Sequence, residues 1–127
     1  MILYSFLHNN NIRFVHNKSI GYVCGNYRPD FLIDCITHFI VIENDENQHN
    51  HYEKECEIVR MYNIEQSMGL RIHFIRYNPD VFKINNIIQK ISKTERMMHL
   101  LCRIEYYKNN TTFIDNKLSI EYLYYNK

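Results

Sequence analysis

Several residues and motifs that are common in proteins are missing from this chain of 127 residues. Alanine and tryptophan do not occur, and there are only three glycines and two prolines. Asn, Ile and Tyr are abundant instead, a bias that indicates an AT-rich coding genome and does not constrain activity. Internal repeats and linker-like segments are also missing. The length and the apolar content of 46% therefore predict one domain, residues 1–127, with a proper core.

Long apolar runs are missing as well. No run is long enough to span a bilayer, and no signal peptide begins the chain. We therefore expect an intracellular protein without a membrane partner. The cysteines show no CxxC spacing and predict reduced, mostly buried thiols: Cys24, Cys35, Cys56 and Cys102. His49 and His51 lie close together but lack a matching cysteine pair, so structural zinc is the less favoured alternative.

Acidic residues are absent from residues 1–29, which carry a net charge of +3. Residues 30–57 contain eight acidic residues and one base, a net charge of −7. Residues 58–108 contain nine bases and four acids, a net charge of +5. Bases that hold phosphates beside acids that hold a metal ion are what a metal-dependent nuclease requires. Chance patterning on a solvated surface is the alternative.

The most informative stretch is PDFLIDCITHFIVIENDENQH, residues 29–49. It predicts two apolar strands that carry carboxylates where they meet loops. Glu43 and Asp45 are two residues apart and should share one face of a strand, and Asp30 approaches Glu43 if the two strands are neighbours. Three carboxylates in one small volume repel each other unless a cation or a proton lies between them. The stretch therefore predicts a site for a hard divalent ion with oxygen ligands.

The rest of the chain predicts an alternation of helices and strands in one layered α/β domain. The predicted elements, in order, are a helix at 2–8, an edge strand at 12–16 that continues towards 22–23, strands at 30–34 and 38–44, a helix at 51–68, a strand at 71–77, a helix from about 84 to 108 and a small C-terminal hairpin with an aromatic face. Gly69 is a stop signal for the second helix. The run IVIE predicts a strand that is covered on both faces.

Four blocks in this order resemble a known family. They are RPDFLID at 28–34, IVIENDENQH at 40–49, CEIVRMYNIEQSMG at 56–69 and IHFIRYNPD at 72–80. Together they look like the PD-(D/E)XK nuclease superfamily, in the branch that is related to very-short-patch repair endonucleases and carries an ExD motif. The chain looks most like members encoded by large DNA viruses, and the similarity covers about residues 12–125.

The resemblance implies a restriction-endonuclease-like three-layer α/β fold, with a central mixed sheet of about four strands flanked by helices and a C-terminal hairpin. It also implies metal-dependent hydrolysis of DNA phosphodiester bonds. The family's first and second acids match Asp30 and Glu43. Its third position normally holds Lys, and here it is Asp45. An acid on the N-terminal helix, which many relatives have, finds no match in residues 1–29.

The roles expected on this basis centre on Mg²⁺ or Mn²⁺. Asp30 and Glu43 would ligate the ion, and Asp45 would either join them or act as general base, the ligand role being favoured. A structural cluster of salt bridges is the alternative for the two acids, and a turn residue for Asp45. Gln48 and His49 are the nearest groups to replace the missing Lys, with His49 donating to a phosphate oxygen or the leaving group. A neighbour of a helix N-cap is the other interpretation of His49.

Basic and aromatic residues are the candidates for DNA contact. Arg28 and Arg76 would bind the phosphate backbone, and Arg60 would either clamp a phosphate or pair with the acidic cluster. Arg28 and Arg76 are equally typical of surface bases, and Arg60 of an arginine whose stem lies along the sheet. The tyrosines at 122, 124 and 125 could stack on bases or form a hairpin core or dimer face. Many relatives use two sites to cut both strands, so a homodimer is possible by analogy.

Two further functions compete with the endonuclease. One is a catalytically inactive nucleic-acid-binding module that retains the nuclease fold. The other is a structural partner protein whose acidic cluster is only surface. The three acids favour the enzyme, whereas the missing Lys and the missing N-terminal acid favour the binding module.

Overall fold

A computed structural model describes residues 2–16, 29–46, 54–111 and 118–127, with only the backbone described for residues 54–57. Within these residues the chain forms three helices and seven strands. The helices are α1 (Ile2–Asn9), α2 (Lys54–Met68) and α3 (Lys93–Asn109). The strands are β1 (Val15–His16), β2 (Phe31–Asp34), β3 (Phe39–Asn44), β4 (Ile72–Tyr77), β5 (Lys83–Ile84), β6 (Ile87–Ile88) and β7 (Ser119–Leu123). No helix in this described part is long and apolar enough to cross a membrane.

The main sheet has five strands in the order β1-β2-β3-β4-β7. The first three strands are antiparallel neighbours, and β3, β4 and β7 are parallel neighbours. A parallel pair needs a crossover connection, and α2 provides it between β3 and β4. The carboxyl ends of β3, β4 and β7 therefore meet at one edge of the sheet. We call this the carboxyl edge.

The two faces of the sheet are covered by different helices, which makes three layers. On one face a core cluster includes Leu32, Val41 and Phe74 together with Met61 and Ile64 of α2. The other core cluster combines side chains of α1, α3 and the strands: Leu3, Leu7, Ile12, Phe31, Ile33, Ile40, Ile42, Ile75, Tyr77, Leu100, Ile104 and Leu123. Successive side chains of a strand point to opposite faces, so each strand contributes to both clusters. The prediction that IVIE is covered on both faces is confirmed, since residues 40–42 are fully buried.

Most predicted elements agree with the structure. The first helix extends to Asn9, and the chain leaves it through Asn11, which has a positive φ of 61°. The edge strand is limited to Val15–His16 within the described residues, and its continuation towards 22–23 lies outside them. Gly69 ends α2 with a φ of 77°, a left-handed conformation that glycine adopts without the steric cost of a Cβ.

The third predicted helix starts too early, and this prediction is wrong for residues 84–92. Residues 83–88 form the hairpin β5–β6, with Asn85 and Asn86 at φ 52° and 65° in its two-residue turn. Positive φ at both positions is the geometry of a type I′ turn, which asparagine tolerates. The helix begins only at Lys93, where the side chain of Ser92 accepts a hydrogen bond from the backbone N–H of Glu95.

The predicted C-terminal hairpin lies only partly within the described residues. Residues 119–123 form β7, which pairs with β4 in parallel and extends the main sheet to five strands. The first arm and the turn of the predicted hairpin, at 112–117, lie outside the described residues. Ile120 of β7 packs against the core cluster under α2, and Leu123 packs in the other core cluster, so the strand makes apolar contacts on both faces of the sheet.

Candidate functional site

Asp30 and Glu43 lie next to each other where β2 begins and β3 ends. The antiparallel register pairs Phe31 with Ile42, so the residues before and after this pair are neighbours in turn. A hydrogen bond fixes this end of the strands, because Oδ2 of Asp30 accepts from the backbone N–H of Asn44 at 2.7 Å. Both acidic residues are partly buried.

The same two carboxylates belong to the α2 face of the sheet. Glu43 is two residues after Val41, and Asp30 is two residues before Leu32; Val41 and Leu32 both pack in the core cluster under α2. The prediction that neighbouring strands would bring these two acids to one face therefore agrees with the register. In the parallel pairing of β3 with β4, Glu43 is the partner of Arg76.

Asp45, the third acid, is fully buried and bound by two side chains. Arg76 donates to it in a bidentate fashion, with Nε to Oδ2 at 2.5 Å and Nη2 to Oδ1 at 3.1 Å. The hydroxyl of Tyr125, from the C-terminal segment, donates a short hydrogen bond to the same Oδ2. Burial, and then the contact with Asp45, raise the pKa of Tyr125, so this phenol keeps its proton and remains a donor.

Arg76 is held below the surface by this arrangement. Its exposed fraction is only 6%, and its Nη1 lies 3.7 Å from the sulfur of Met61 in α2. An arginine that binds a carboxylate through two parallel N–H···O contacts is fixed in direction as well as in charge. The structure thus places Arg76 as the partner of Asp45, and not on the surface where a phosphate backbone would meet it.

The three predicted metal ligands are consequently divided. Asp30 and Glu43 are brought together by the sheet, while Asp45 is bound by Arg76 and Tyr125. Among residues 2–16, 29–46, 54–111 and 118–127, no group of three or more His, Cys, Asp or Glu side chains is arranged to hold a metal ion. The metal site therefore stays a prediction, and its firmest part is the pair Asp30 and Glu43.

The remaining predicted site residues are placed only in part. Arg28, Gln48 and His49 lie outside the described residues, so their predicted roles stay predictions. Arg60 is partly buried in α2, immediately before the buried Met61. This position agrees with a side chain whose stem runs along the packed face of the helix.

A second polar cluster, which was not predicted from the sequence, lies on the other face of the sheet. His73 of β4 is 1% exposed and contacts Oγ of Ser119 through Nδ1 at 2.6 Å and Glu121 through Nε2 at 3.2 Å. Arg103 of α3 donates to Glu121 at 2.6 Å, and the ring of Tyr107 stacks on His73 with 3.5 Å between centroids. The register His73–Ser119 and the alternation of Ser119 and Glu121 produce this contact.

The pKa values of His73 and Glu121 in this cluster depend on burial and on their contacts with each other. Burial lowers the pKa of His73, and the neighbouring Glu121 only partly opposes this effect. Burial alone would raise the pKa of Glu121, but hydrogen bonds from His73 and Arg103 outweigh it and hold that pKa below its ordinary value. The cluster therefore combines a carboxylate with a guanidinium and a histidine that resists protonation, and it connects β4, β7 and α3.

One signal in the sequence could have led to this cluster. Ser119 and Glu121 alternate with apolar residues, as the side chains of a strand with one polar row do. A separate surface hairpin would not pair with β4, so the predicted hairpin does not bring these two residues to His73. The pairing of β7 with β4 could not be read from the local pattern, because it depends on a strand partner more than forty residues away.

Scans of this chain against protein-family models, curated proteins and solved structures gave no match. The resemblance to PD-(D/E)XK nucleases thus stays a prediction that depends on the four sequence blocks.

Proposed function

We propose that this protein is a metal-dependent endonuclease that hydrolyses phosphodiester bonds in DNA. The observation that carries the proposal is the meeting of Asp30 and Glu43 on one face at the ends of two neighbouring strands. The order of elements supports it as well. A helix, three antiparallel strands, a helix and a strand parallel to the third agree with the restriction-endonuclease-like fold that the resemblance implies.

The donor atoms at this place suit Mg²⁺ or Mn²⁺. Both side chains offer carboxylate oxygens, which are the ligands that hard divalent cations prefer. Such an ion, when bound, lowers the pKa of a coordinated water and offsets negative charge on the reacting phosphate. Asp30 and Glu43 would hold it, and the partial burial of both residues would limit competition from solvent.

In this proposal Arg76 takes the role of the lysine that the family pattern has at position 45. The family pattern has a positive charge two residues after the second acid, whereas this chain has Asp45. Arg76 binds Asp45 and is the register partner of Glu43 on the neighbouring strand. The guanidinium would thereby supply, from β4, positive charge close to the two acids, and Asp45 would act as the positioning residue that fixes it.

A catalytically inactive DNA-binding module is the second candidate. It is favoured by the engagement of Asp45 with Arg76 and Tyr125, since this carboxylate is then occupied by protein donors. In that case the fold would be retained for binding, and Asp45 with Arg76 would be a buried ion pair of the core.

Cleavage assays with matched variants separate the two candidates. Supercoiled plasmid and single-stranded DNA would be incubated with the protein in Mg²⁺, Mn²⁺ or EDTA. We expect cleavage with either metal and none in EDTA. The isosteric changes Asp30→Asn and Glu43→Gln should each reduce the rate at least about 100-fold, the scale of losing a group that stabilises transition-state charge. Asp34→Asn, an exposed carboxylate at the other end of β2, is the control and should cleave normally.

Metal binding provides a readout that is independent of cleavage. Electron paramagnetic resonance of free Mn²⁺ should show binding by the wild type and by Asp34→Asn, and weaker binding by Asp30→Asn and Glu43→Gln. Circular dichroism would verify that the variants are folded. DNA binding without cleavage in any metal would favour the inactive module. Wild-type rates in both site variants would remove the endonuclease proposal.

A further inference from the structure

The hairpin β5–β6 carries an unusual amount of exposed aliphatic surface. Val81, Ile87 and Ile88 are 64%, 66% and 53% exposed. These are β-branched side chains that a folded domain normally buries, and single exposed ones need no explanation. Ile87 and Ile88 follow each other in β6 and therefore point to opposite faces of the hairpin, and Val81 comes two residues before β5. Exposed aliphatic side chains thus lie on both faces of this short hairpin.

Lysines outnumber acidic residues around this hairpin, and the two nearest acids in the sequence, Asp80 and Glu95, lie immediately outside residues 81–94. Residues 81–94 contain Lys83, Lys90 and Lys93 and no acidic residue, and the three lysines are exposed. Lys127 joins them, because its backbone pairs with β5. We call the four lysines together with Val81, Ile87 and Ile88 the hairpin surface. Lysines around exposed aliphatic side chains are complementary to a polyanion that also offers apolar groups between its charges.

The hairpin is held rigidly to the domain. The backbone of Lys127 donates to the carbonyl of Lys83 and accepts from the N–H of Asn85, both at 2.9 Å. Phe82 is buried and contacts the guanidinium of Arg96, which also donates to the carbonyl of Asp80 at 2.7 Å. A surface whose backbone is already fixed loses little conformational entropy when it binds.

The position of the hairpin connects it with the candidate site. It begins a few residues after Tyr77, the last residue of β4, and so lies at the carboxyl edge. Glu43 is at the carboxyl end of β3, which is parallel to β4 and paired with it. DNA bound at the hairpin surface would therefore pass the same edge of the sheet as the proposed cleavage site.

We propose that the hairpin surface binds duplex DNA by entering the major groove, which admits a two-stranded β-ribbon, so that its lysines meet phosphates and Ile87 and Ile88, on the two faces of the hairpin, meet sugars and base edges. The proposal depends on the proposed function for its partner, although the binding itself needs no metal ion. Lysine–phosphate contacts release counterions and weaken with salt, whereas contacts of the isoleucines do not. The two kinds of contact can therefore be measured separately.

The test is fluorescence anisotropy of a labelled 20-base-pair duplex in EDTA, at several salt concentrations. Combining Lys83→Gln, Lys90→Gln and Lys93→Gln should weaken binding at least tenfold at low salt. It should also make the slope of log K against log salt less steep by about 2.7, or about 0.9 for each phosphate contact. Combining Ile87→Ser and Ile88→Ser should weaken binding at every salt concentration and leave the slope unchanged.

Matched controls lie at the opposite edge of the sheet. Lys108 is an exposed lysine at the end of α3, and Ile36, in the β2–β3 loop, is 87% exposed. Lys108→Gln and Ile36→Ser should bind DNA as the wild type does. Circular dichroism of all variants would verify folding, which exposed positions should leave intact.

The outcomes distinguish this proposal from the proposed function. Binding in EDTA that depends on the hairpin, without cleavage in Mg²⁺ or Mn²⁺, supports the hairpin surface and contradicts the endonuclease. If the protein cleaves DNA and both hairpin variants bind the duplex as the wild type does, the endonuclease is supported and the hairpin surface is contradicted. A wild type that fails to bind the duplex overturns the hairpin proposal. So does hairpin-dependent binding to vesicles containing phosphatidylserine without an effect on DNA, because the surface would then be a membrane contact.

Discussion

At the scale of single residues, His73 shows how a polar side chain is accommodated in this core. It is 1% exposed, yet both ring nitrogens have partners, in Ser119 and Glu121. A buried polar group without a partner costs about 1–3 kcal/mol, so these contacts are needed for the strand pairing to be favourable. His73 therefore links β4 to β7 through polar side-chain contacts, and the ring of Tyr107 stacks on it.

The depressed pKa of His73 predicts how stability depends on pH. Below its ordinary value of 6.5, the unfolded chain binds a proton that the folded chain excludes. Folding stability should therefore be lost as the pH falls below 6.5, by at most about 1.4 kcal/mol per pH unit for one proton. Urea unfolding at pH 5.5 to 7.5 would measure this slope. His73→Gln, which cannot titrate, should have a smaller one, and equal slopes in the two proteins would contradict the prediction.

Single residues also show the limit of prediction from sequence at the candidate site. Strand alternation predicts that Glu43 and Asp45 share one face, and it predicts Asp30 beside Glu43 only if the two strands are neighbours, a condition that the β2–β3 register meets. The partner of Asp45 cannot be predicted in this way. Arg76 reaches it only because β4 lies parallel to β3 in one particular register, a long-range property that the local pattern does not contain.

At the scale of elements, the boundary of α3 was available in the sequence but was hidden by a stronger pattern. Ser92 and Glu95 form an S-x-x-E signature, typical of a helix N-terminus, and Ser92 is the observed N-cap. The isoleucines of residues 84–91 happen to continue the helical spacing upstream. The pair Asn85 and Asn86 decides against the helix, because both adopt positive φ in the hairpin turn.

The link between the ends of β3 and β4 predicts strong coupling between Asp45 and Arg76. Both are buried, so removing one partner takes away the ion pair that compensates the other charge in the interior. Asp45→Asn or Arg76→Met alone should therefore lower the free energy of unfolding by about 3–5 kcal/mol. The double variant should lose less than the sum of the two, since neither charge remains.

Urea unfolding of the wild type, the two single variants and the double variant closes this thermodynamic cycle. The matched control is Glu105→Gln with Lys108→Gln, an exposed pair at 3.9 Å in α3, whose coupling should stay below about 1 kcal/mol. Additive losses for Asp45 and Arg76 would mean that the buried pair contributes no specific stability. The burial of Asp45 would then be better explained by its hydrogen bond with Tyr125.

At the scale of the whole molecule, β3 is the centre of the sheet and of the proposed chemistry. In the part of the chain that the structure describes, two strands lie on each side of it, and its residues 40–42 are fully buried beneath both helical layers. The α/β class and the central position of residues 38–44 follow from apolar runs, which the sequence contains. The pairing of β7, the fifth strand of the main sheet, with β4 cannot be predicted from the apolar runs, because the two strands are far apart in the sequence and are separated by β5, β6 and α3.

This fifth strand predicts that the domain depends on its last ten residues. Residues 118–127 place Ile120 under α2 and Leu123 in the other core cluster, and they supply Tyr125 to Asp45. Exposing the buried Leu123 costs about 1.5–3 kcal/mol, exposing the half-buried Ile120 costs less, and a buried carboxylate that loses a donor costs about 1–3 kcal/mol more. The sum approaches the stability of a typical domain, about 5–15 kcal/mol. A chain that ends at residue 117 should therefore lose cooperative thermal unfolding and dispersed amide resonances.

A shorter deletion is the control for this prediction. Removing only residues 126–127 takes away the backbone pairing with β5 and leaves β7 and Tyr125 in place. That chain should still unfold cooperatively and keep its dispersed spectrum. If the chain ending at residue 117 did the same, the C-terminal segment would not be a strand of the core. Asp45 and Arg76 would then have to be stable as a buried pair without the hydroxyl of Tyr125.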